Sequence, residues 1–432
     1  MKIEKVFLYL AIFMIGISVF FMPATEVPDE VKHADTAWHI LYPDSDNILD
    51  WEAKNDIINN PQPADADVNW SLFQQFFVEK IDTEQITSRF NFGLKSISYL
   101  PQFIGMYIGK LIYPSLGVIL TFGRLVNAAV YIIAIFYFIK YIRSGKEVLL
   151  FVSLLPMMIQ QAGSLSYDVL NYVAIAGFFT FIINLLHRRT IGMKHFILLL
   201  LLTILMVAVK LNNIFLLAVL AFINFECIDR LTLFNPFLKL FQKHRLVVLS
   251  LLSLLVAVVA GVYIHQTVGV KQFAAMMFNT LMNNNLNGAL NTFLTTGIFG
   301  YFGWLTIPLP LWVVFFDVFV LTLLLFVDKS FELPKSEAIV LGMVFPVQVA
   351  IIIAIMYFLW TPQILGENAS ISVGTQGRYF TPFLLYLYPL CAGWKKNINI
   401  DIVEKTKVNL IVGTLAFNFI VFLILIGVYY WF

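Results

Sequence analysis

The chain has 432 residues, of which 60% are hydrophobic and only 12% charged, and its mean hydropathy is +0.83. A soluble globular chain carries about 45–50% apolar and about 25% charged residues, so this composition cannot cover a water-facing surface, and it excludes disordered, fibrous and disulfide-rich secreted classes. The net charge of +2, from 28 Lys+Arg against 26 Asp+Glu, gives no reason to expect nucleic acid as a partner, and the two cysteines, Cys227 and Cys391, lack metal-ligand or CxxC spacing. The expectation is an all-α, polytopic transmembrane helical bundle, with residues 1–432 forming a single integral membrane domain.

Lys2 and Lys5 precede an apolar run over 6–22, which reads as an uncleaved first helix because no small-x-small cleavage site follows and many apolar runs come later. The stretch 23–96 holds no hydrophobic span. It carries 14 of the 26 acidic residues against Lys32, Lys54, Lys80, Arg89 and Lys95, and is expected to be an extracytoplasmic acidic loop. Residues 97–114, interrupted by Pro101, Gly105, Gly109, Lys110 and Pro114, read as an interfacial helix that does not cross. Further spans are expected at 121–140, 147–163, 168–186, 195–210, 212–228, 246–265, 309–327, 338–360, 379–394 and 408–431, which makes about eleven in all. The amino terminus and the loops at 140–146, 187–195, 230–245, 328–337 and 395–407 together hold 18 of the 28 Lys and Arg residues. The positive-inside rule makes them cytoplasmic and places the acidic loop outside. A crossing by 97–114 would turn every later basic loop outward.

Candidate functional residues gather on the expected outer face, where polar side chains are not needed for insertion. Directly after the first span come Glu26, Val27, Pro28, Asp29, Glu30, Val31, Lys32 and His33. A carboxylate fixed just beyond a helix end, at the rim of a low-dielectric region, has the position of a general base. Asp29 and Glu30 are the candidates, while the other loop acids read as solvated charge. Arg378, within Gln376, Gly377, Arg378 and Tyr379, is either a bidentate phosphate ligand or a snorkelling arginine beside an aromatic belt. Lys210 is either a phosphate contact or the polar hinge between two apolar runs. Asp168 reads first as a helix cap. Asn283, Asn284, Asn285, Asn287 and Asn291, with Trp304, offer amides and an aromatic face of the kind sugars bind, and ordinary loop composition explains them equally well. There is no Walker A loop, GxSxG elbow or HExxH, and no metal or cofactor is expected; of six histidines only His33 and His39 fall in the outer loop.

Six short runs stand in order along nearly the whole chain: Pro28-Asp-Glu with His33, Tyr99-Leu-Pro-Gln-Phe-Ile-Gly, Gly123-Arg-Leu-Val-Asn, Ser164-Leu-Ser-Tyr-Asp, Phe302-Gly-Trp-Leu and Gln376-Gly-Arg-Tyr-Phe. Together they resemble the bacterial membrane-protein family catalogued as domain of unknown function 2142. Val31 stands where that family's Asp-Glu-Pro-x-His run has proline. The family is similar in layout to the glycosyltransferase C superfamily, in which a first span is followed by a long outer loop bearing an acidic catalytic residue near its start.

The resemblance implies a transferase of the bacterial plasma membrane, acting on its outer face and taking sugar from a polyprenyl-phosphate donor to a cell-envelope glycan acceptor. Membrane lipid, the lipid-linked donor and that acceptor are the implied partners. Carrying the superfamily's acidic position onto this chain selects Asp29 first and Glu30 second as the base. Arg378, with Lys210 or Arg124, would hold the donor phosphate, and His33, Asp168, Trp304, Gln376 and Tyr379 complete the expected substrate-binding set. An inverting displacement from a lipid phosphate needs one base and cationic donors, unlike the paired carboxylates of glycoside hydrolysis. The rival reading is a transporter or lipid flippase, which calls for midplane charges, broken helices and repeats. Asp317 is the clearest charge within a span, and no repeat is visible. A third reading is a non-catalytic subunit that presents its acidic loop to a partner.

Overall fold

The computed structural model describes residues 2–45, 48, 76–81, 88–228, 232–282, 291–293, 296–398 and 400–432. Residues 46–47, 49–75 and 82–87 of the expected 23–96 loop lie outside the described residues, as do Asn283, Asn284, Asn285 and Asn287. The first helices in chain order are α1 (Ile3–Phe21), α2 (Glu30–Trp38), α3 (Leu100–Ile112), α4 (Leu116–Tyr141), α5 (Lys146–Ser153), α6 (Pro156–Ala162), α7 (Asp168–Arg188) and α8 (Met193–Val209). A 3-10 helix over Leu211–Phe222 follows, then α9 (Asn235–Thr267), α10 (Val270–Met282), α11 (Leu311–Val327), α12 (Lys335–Gly342), α13 (Val344–Leu359) and α14 (Thr361–Leu365). A 3-10 turn at Gly377–Tyr379 and a 3-10 helix at Thr381–Tyr386 lead into α15 (Leu387–Ala392) and α16 (Glu404–Tyr430).

Among the described residues, six helical stretches are long and apolar enough to cross a membrane: Ile3–Phe21, Leu116–Tyr141, Asp168–Arg188, Val247–Thr267, Lys335–Leu359 and Glu404–Tyr430. This is an all-α membrane protein, multi-pass by these helices. Four of the expected spans are not continuous α-helices, and of these 338–360 divides only at Met343, between α12 and α13. The 147–163 run breaks between α5 and α6 because Pro156 has no N–H to donate to the preceding turn. The 212–228 run is wound as a 3-10 helix as far as Phe222, and 379–394 is 3-10 as far as Tyr386 before α15 begins. Among the described residues, strand is confined to two short pairs, Thr190–Ile191 parallel to Cys227–Ile228 and Tyr301–Phe302 antiparallel to Ile307–Pro308.

Helix α7 forms the centre of the core and is buried nearly throughout, which its apolar residues on every face require. Around it, Tyr131 donates to the Ser153 carbonyl at 2.7 Å and the Tyr172 hydroxyl meets Ser153 Oγ at 2.9 Å. Helices α3 and α4 form an antiparallel hairpin in direct backbone contact. A Cβ on Gly105 would lie 2.2 Å from the Phe122 carbonyl oxygen, and one on Gly109 would lie 2.9 Å from that of Val118. Only glycine permits this approach.

The bundle has two chemically distinct ends. At one, Asp328 accepts from the Gly145 N–H at 3.0 Å and from Tyr388 at 2.6 Å, Lys395 donates to the Asp328 carbonyl at 2.6 Å, and Lys407 meets Glu147 at 2.6 Å. Arg189 and Glu337 pair there at 2.8 Å. These contacts draw together the basic loops that the sequence groups on one side. The opposite end gathers the carboxyl terminus of α1, helix α2, the amino termini of α4 and α7, Lys210 and the 372–379 segment.

Candidate functional site

Two carboxylates that are neighbours in sequence have opposite surroundings. Glu30, the first residue of α2, is 1% exposed. Its Oε1 accepts from Arg124 Nε at 2.8 Å and from the Leu165 N–H at 2.9 Å; its Oε2 accepts from Arg124 Nη2 at 2.6 Å and from the Thr25 N–H at 2.8 Å. Arg124 spends its remaining donors on the carbonyls of Val19, Met22 and Pro23, at 3.1, 2.7 and 2.9 Å. All five guanidinium N–H groups are thereby used, three of them on carbonyls at and beyond the end of α1. No lone pair of Glu30 and no proton of Arg124 is free for a ligand.

Asp29 precedes α2 in the left-handed region, with φ 65°, a conformation aspartate tolerates better than most residues. Its side chain is 43% exposed and accepts from Arg378 Nη2. Arg378, 2% exposed, also donates to the Pro28 carbonyl at 2.9 Å, and its Nε lies 3.3 Å from Asp168 Oδ2. Asp168 Oδ1 in turn meets Lys210 Nζ at 2.8 Å. Burial pushes the Asp29 carboxyl up, but the charge of Arg378, the His33 imidazole and the Arg378 hydrogen bond together outweigh it and leave the group below the ordinary carboxylate range. The capping role first read for Asp168 gives way to ion pairing: its oxygens face Lys210 and Arg378, and its own N–H is taken by Ser166 Oγ at 3.1 Å.

Aromatic rings flank the cations of this chain of ion pairs. Lys210 Nζ sits 4.1 Å from the centre of the Tyr379 ring and 5.2 Å from that of Tyr167, and the Arg378 guanidinium carbon lies 5.3 Å from that of Tyr379. His33 continues the series, its ring 5.0 Å from Tyr167 and 5.8 Å from Tyr99. His33 is 4% exposed, its Nδ1 lies 3.3 Å from the Tyr99 hydroxyl, and its Nε2 is buried without a hydrogen-bond partner. Burial holds the imidazole neutral by lowering its pKa to about 4, against the opposing pull of Asp29.

Arg378 is carried on a segment braced by buried amides. Asn291 donates to the Ser372 carbonyl at 2.6 Å and accepts from the Thr375 N–H at 2.7 Å, while Thr292 Oγ1 accepts from the Gly377 N–H at 2.9 Å. A Cβ on Gly377 would lie 2.0 Å from the Gly297 carbonyl carbon. Trp304 donates its indole N–H to the Thr25 carbonyl at 3.1 Å, so it buttresses the turn that leads to Asp29. Gln376 is 9% exposed, with Oε1 unpartnered.

The structure thus brings together six of the expected residues: Asp29, His33, Asp168, Lys210, Arg378 and Tyr379. Glu30 and Arg124 form a closed pair beside them, and Trp304, Gln376 and Asn291 stand behind. Sequence reasoning passed over Tyr99 and Tyr167 as individual site residues, although each falls within one of the short runs. It also gave no role to Glu26, whose carboxyl accepts from Tyr430 at 3.1 Å and is pushed up to about 7 by burial. Among the described residues, no three His, Cys, Asp or Glu side chains converge as they would to hold a metal ion.

No curated protein and no solved structure matches the chain. A family model does, that of the predicted membrane proteins of domain of unknown function 2142 (DUF2142), and it spans residues 12–387. The matched region contains every residue of the Asp29, His33, Asp168, Lys210 and Arg378 cluster, and the chain belongs to the DUF2142 family.

Proposed function

We propose that this protein is a membrane glycosyltransferase that moves a sugar from a polyprenyl-phosphate donor to a cell-envelope acceptor on the extracytoplasmic face of the bacterial plasma membrane. The observation that carries the reading is the half-exposed Asp29 carboxylate, paired with the buried Arg378, which Asp168 links in turn to Lys210, at one end of the bundle. In this reading the 23–96 loop is extracytoplasmic and the 97–114 stretch is interfacial. Helix α3, at 13 residues, is about 20 Å long and too short for a bilayer core of about 30 Å.

The reaction is a single displacement. The acceptor oxygen forms a bond to the anomeric carbon, the bond from that carbon to the phosphate oxygen breaks, and its electron pair leaves with the polyprenyl phosphate. Asp29 takes the acceptor proton, and Arg378 and Lys210 neutralise the departing phosphate. For these cations to receive phosphate, their pairing with Asp29 and Asp168 loosens as the donor arrives. Glu30 and Arg124, with every polar atom engaged, support the site without touching substrate.

The test is transfer of radiolabelled sugar from a panel of polyprenyl-phosphate donors to envelope acceptors by purified protein in liposomes. Transfer by wild type and its loss in Asp29→Asn support the reading; equal transfer by both overturns Asp29 as base. Asp317 favours a second reading, a polytopic transporter or lipid flippase. It is fully buried within the apolar helix α11, with Asn418 donating to Oδ1 at 2.6 Å and Oδ2 unpartnered, and ionisable groups buried among apolar helices of a membrane protein mark transport pathways. Lipid translocation in the same liposomes, abolished by Asp317→Asn and without sugar transfer, would select that reading.

A further inference from the structure

The cluster has one polar atom that neither its ion pairs nor the displacement uses, Nε2 of His33. The ring is oriented from one edge, where Nδ1 faces the Tyr99 hydroxyl at 3.3 Å, and that leaves Nε2 on the other edge, buried and unpartnered. A buried polar atom without a partner is costly, and a ligand that supplies one recovers that cost. His33 lies one helical turn beyond Asp29, its N–H donating to the Asp29 carbonyl at 3.0 Å, so its ring belongs to the same cluster as the carboxylate.

We propose that His33, Tyr99 and Tyr167 form a subsite for the hydroxylated ring of the donor sugar, with His33 Nε2 hydrogen-bonded to a sugar hydroxyl and the two tyrosine rings against its C–H surface. This rests on the glycosyltransferase reading above and specifies which part of the donor each residue reads. A hydroxyl is the ligand group that fits because it both donates and accepts, and so pairs with Nε2 in either neutral tautomer. Phosphate, which only accepts, is served instead by the permanently cationic Arg378 and by Lys210. The rings of His33, Tyr99 and Tyr167 lie 5.0–5.8 Å apart, centre to centre, and form an amphipathic wall with hydroxyls at its edges.

The experiment measures binding of hexosyl, N-acetylhexosaminyl and pentosyl polyprenyl phosphates, and of the sugar-free polyprenyl phosphate, to the full-length protein in nanodiscs. His33→Asn reproduces the Nδ1 side of the ring, whereas His33→Gln reproduces the Nε2 side. His33→Asn is expected to weaken the best-bound sugar lipid about tenfold, the equivalent of one hydrogen bond, and to leave the sugar-free lipid within twofold. His33→Gln should weaken the sugar lipid less than His33→Asn. Tyr99→Phe, which frees Nδ1 but keeps the ring, gives a second variant expected to lose several-fold on the sugar lipid alone. Equal losses on both lipids, or equal effects of Asn and Gln, would assign His33 to packing and overturn the subsite. If wild type binds neither kind of lipid, the transferase reading fails and the subsite fails with it, an outcome separate from the first.

Discussion

Arg378 and Asp29, 349 residues apart in the chain, meet with the arginine also bonded to the carbonyl of Pro28, the residue before its partner. The guanidinium therefore grips the backbone and the side chain of one turn together. Because that turn places Asp29 at φ 65°, substitutions there separate charge from conformation. Asn and Gly tolerate this backbone, whereas Ala is strained by about 1–2 kcal/mol. Thermal denaturation in detergent should rank Asp29→Ala below both Asp29→Asn and Asp29→Gly, while all three lose sugar transfer by at least about a hundredfold. Equal melting of the three would mean that the turn relaxes freely.

Removing Arg124 strands the Glu30 carboxylate in a site where it is 1% exposed. Breaking a buried pair from one side costs about 3–5 kcal/mol, so Arg124→Ala should lower the yield and melting temperature sharply. Arg378→Ala leaves Asp29 half exposed and Asp168 still paired with Lys210. It should therefore lose less stability but bind donor phosphate about ten- to a hundredfold more weakly. Comparing melting temperature with donor affinity for the two variants checks the division between support and site.

Gly377→Ala would set a methyl group 2.0 Å from the Gly297 carbonyl carbon, where backbone meets backbone and no rotamer provides relief. The expected outcome is displacement of the 377–379 turn, with donor binding reduced at least as much as in Arg378→Ala. Gly413→Ala, at a position with open space around it, is the control and should bind donor as wild type does.

Two buried groups give the fold opposite pH slopes. Glu26, facing Tyr430, Glu30 and Arg124, has its pKa raised from 4.5 to about 7. The folded state holds that proton more tightly than the unfolded state, so this contribution is full below about pH 4.5 and is lost as pH rises through about 7. His33 has its pKa lowered from 6.5 to about 4, so its contribution is present above pH 6.5 and is lost as pH falls through about 4. Melting temperatures from pH 4 to 9 should show Glu26→Gln flattening the alkaline limb and His33→Gln the acid limb. An unchanged alkaline limb in Glu26→Gln would place the titrating group elsewhere.

The sequence made the long helices legible because α1, α4, α7 and α16 are each a predominantly apolar run of membrane length. The breaks were less so. Hydropathy over 147–163 is continuous, and Pro156 divides the run through a missing donor that a hydropathy window does not register. Asp29, Arg378 and Lys210 could be singled out because each is a charge at the end of an apolar stretch. Their pairing could not, since nothing local tells Glu30 that its partner is Arg124 rather than Arg378. Tyr99 and Tyr167 look like ordinary interfacial aromatics until the fold packs both rings against His33 and against each other. Asn291, open in the sequence to a sugar-facing or an ordinary loop role, spends both ends of its side chain on backbone.

Arg124 fastens the end of α1 to the start of α2, and Arg378 fastens the turn between them from the other side. The segment that presents Asp29 thus gives up its conformational freedom when the chain folds rather than when a ligand arrives. A substrate meets a carboxylate already aimed, and the entropy that a mobile loop would surrender on each encounter is surrendered once for the lifetime of the molecule.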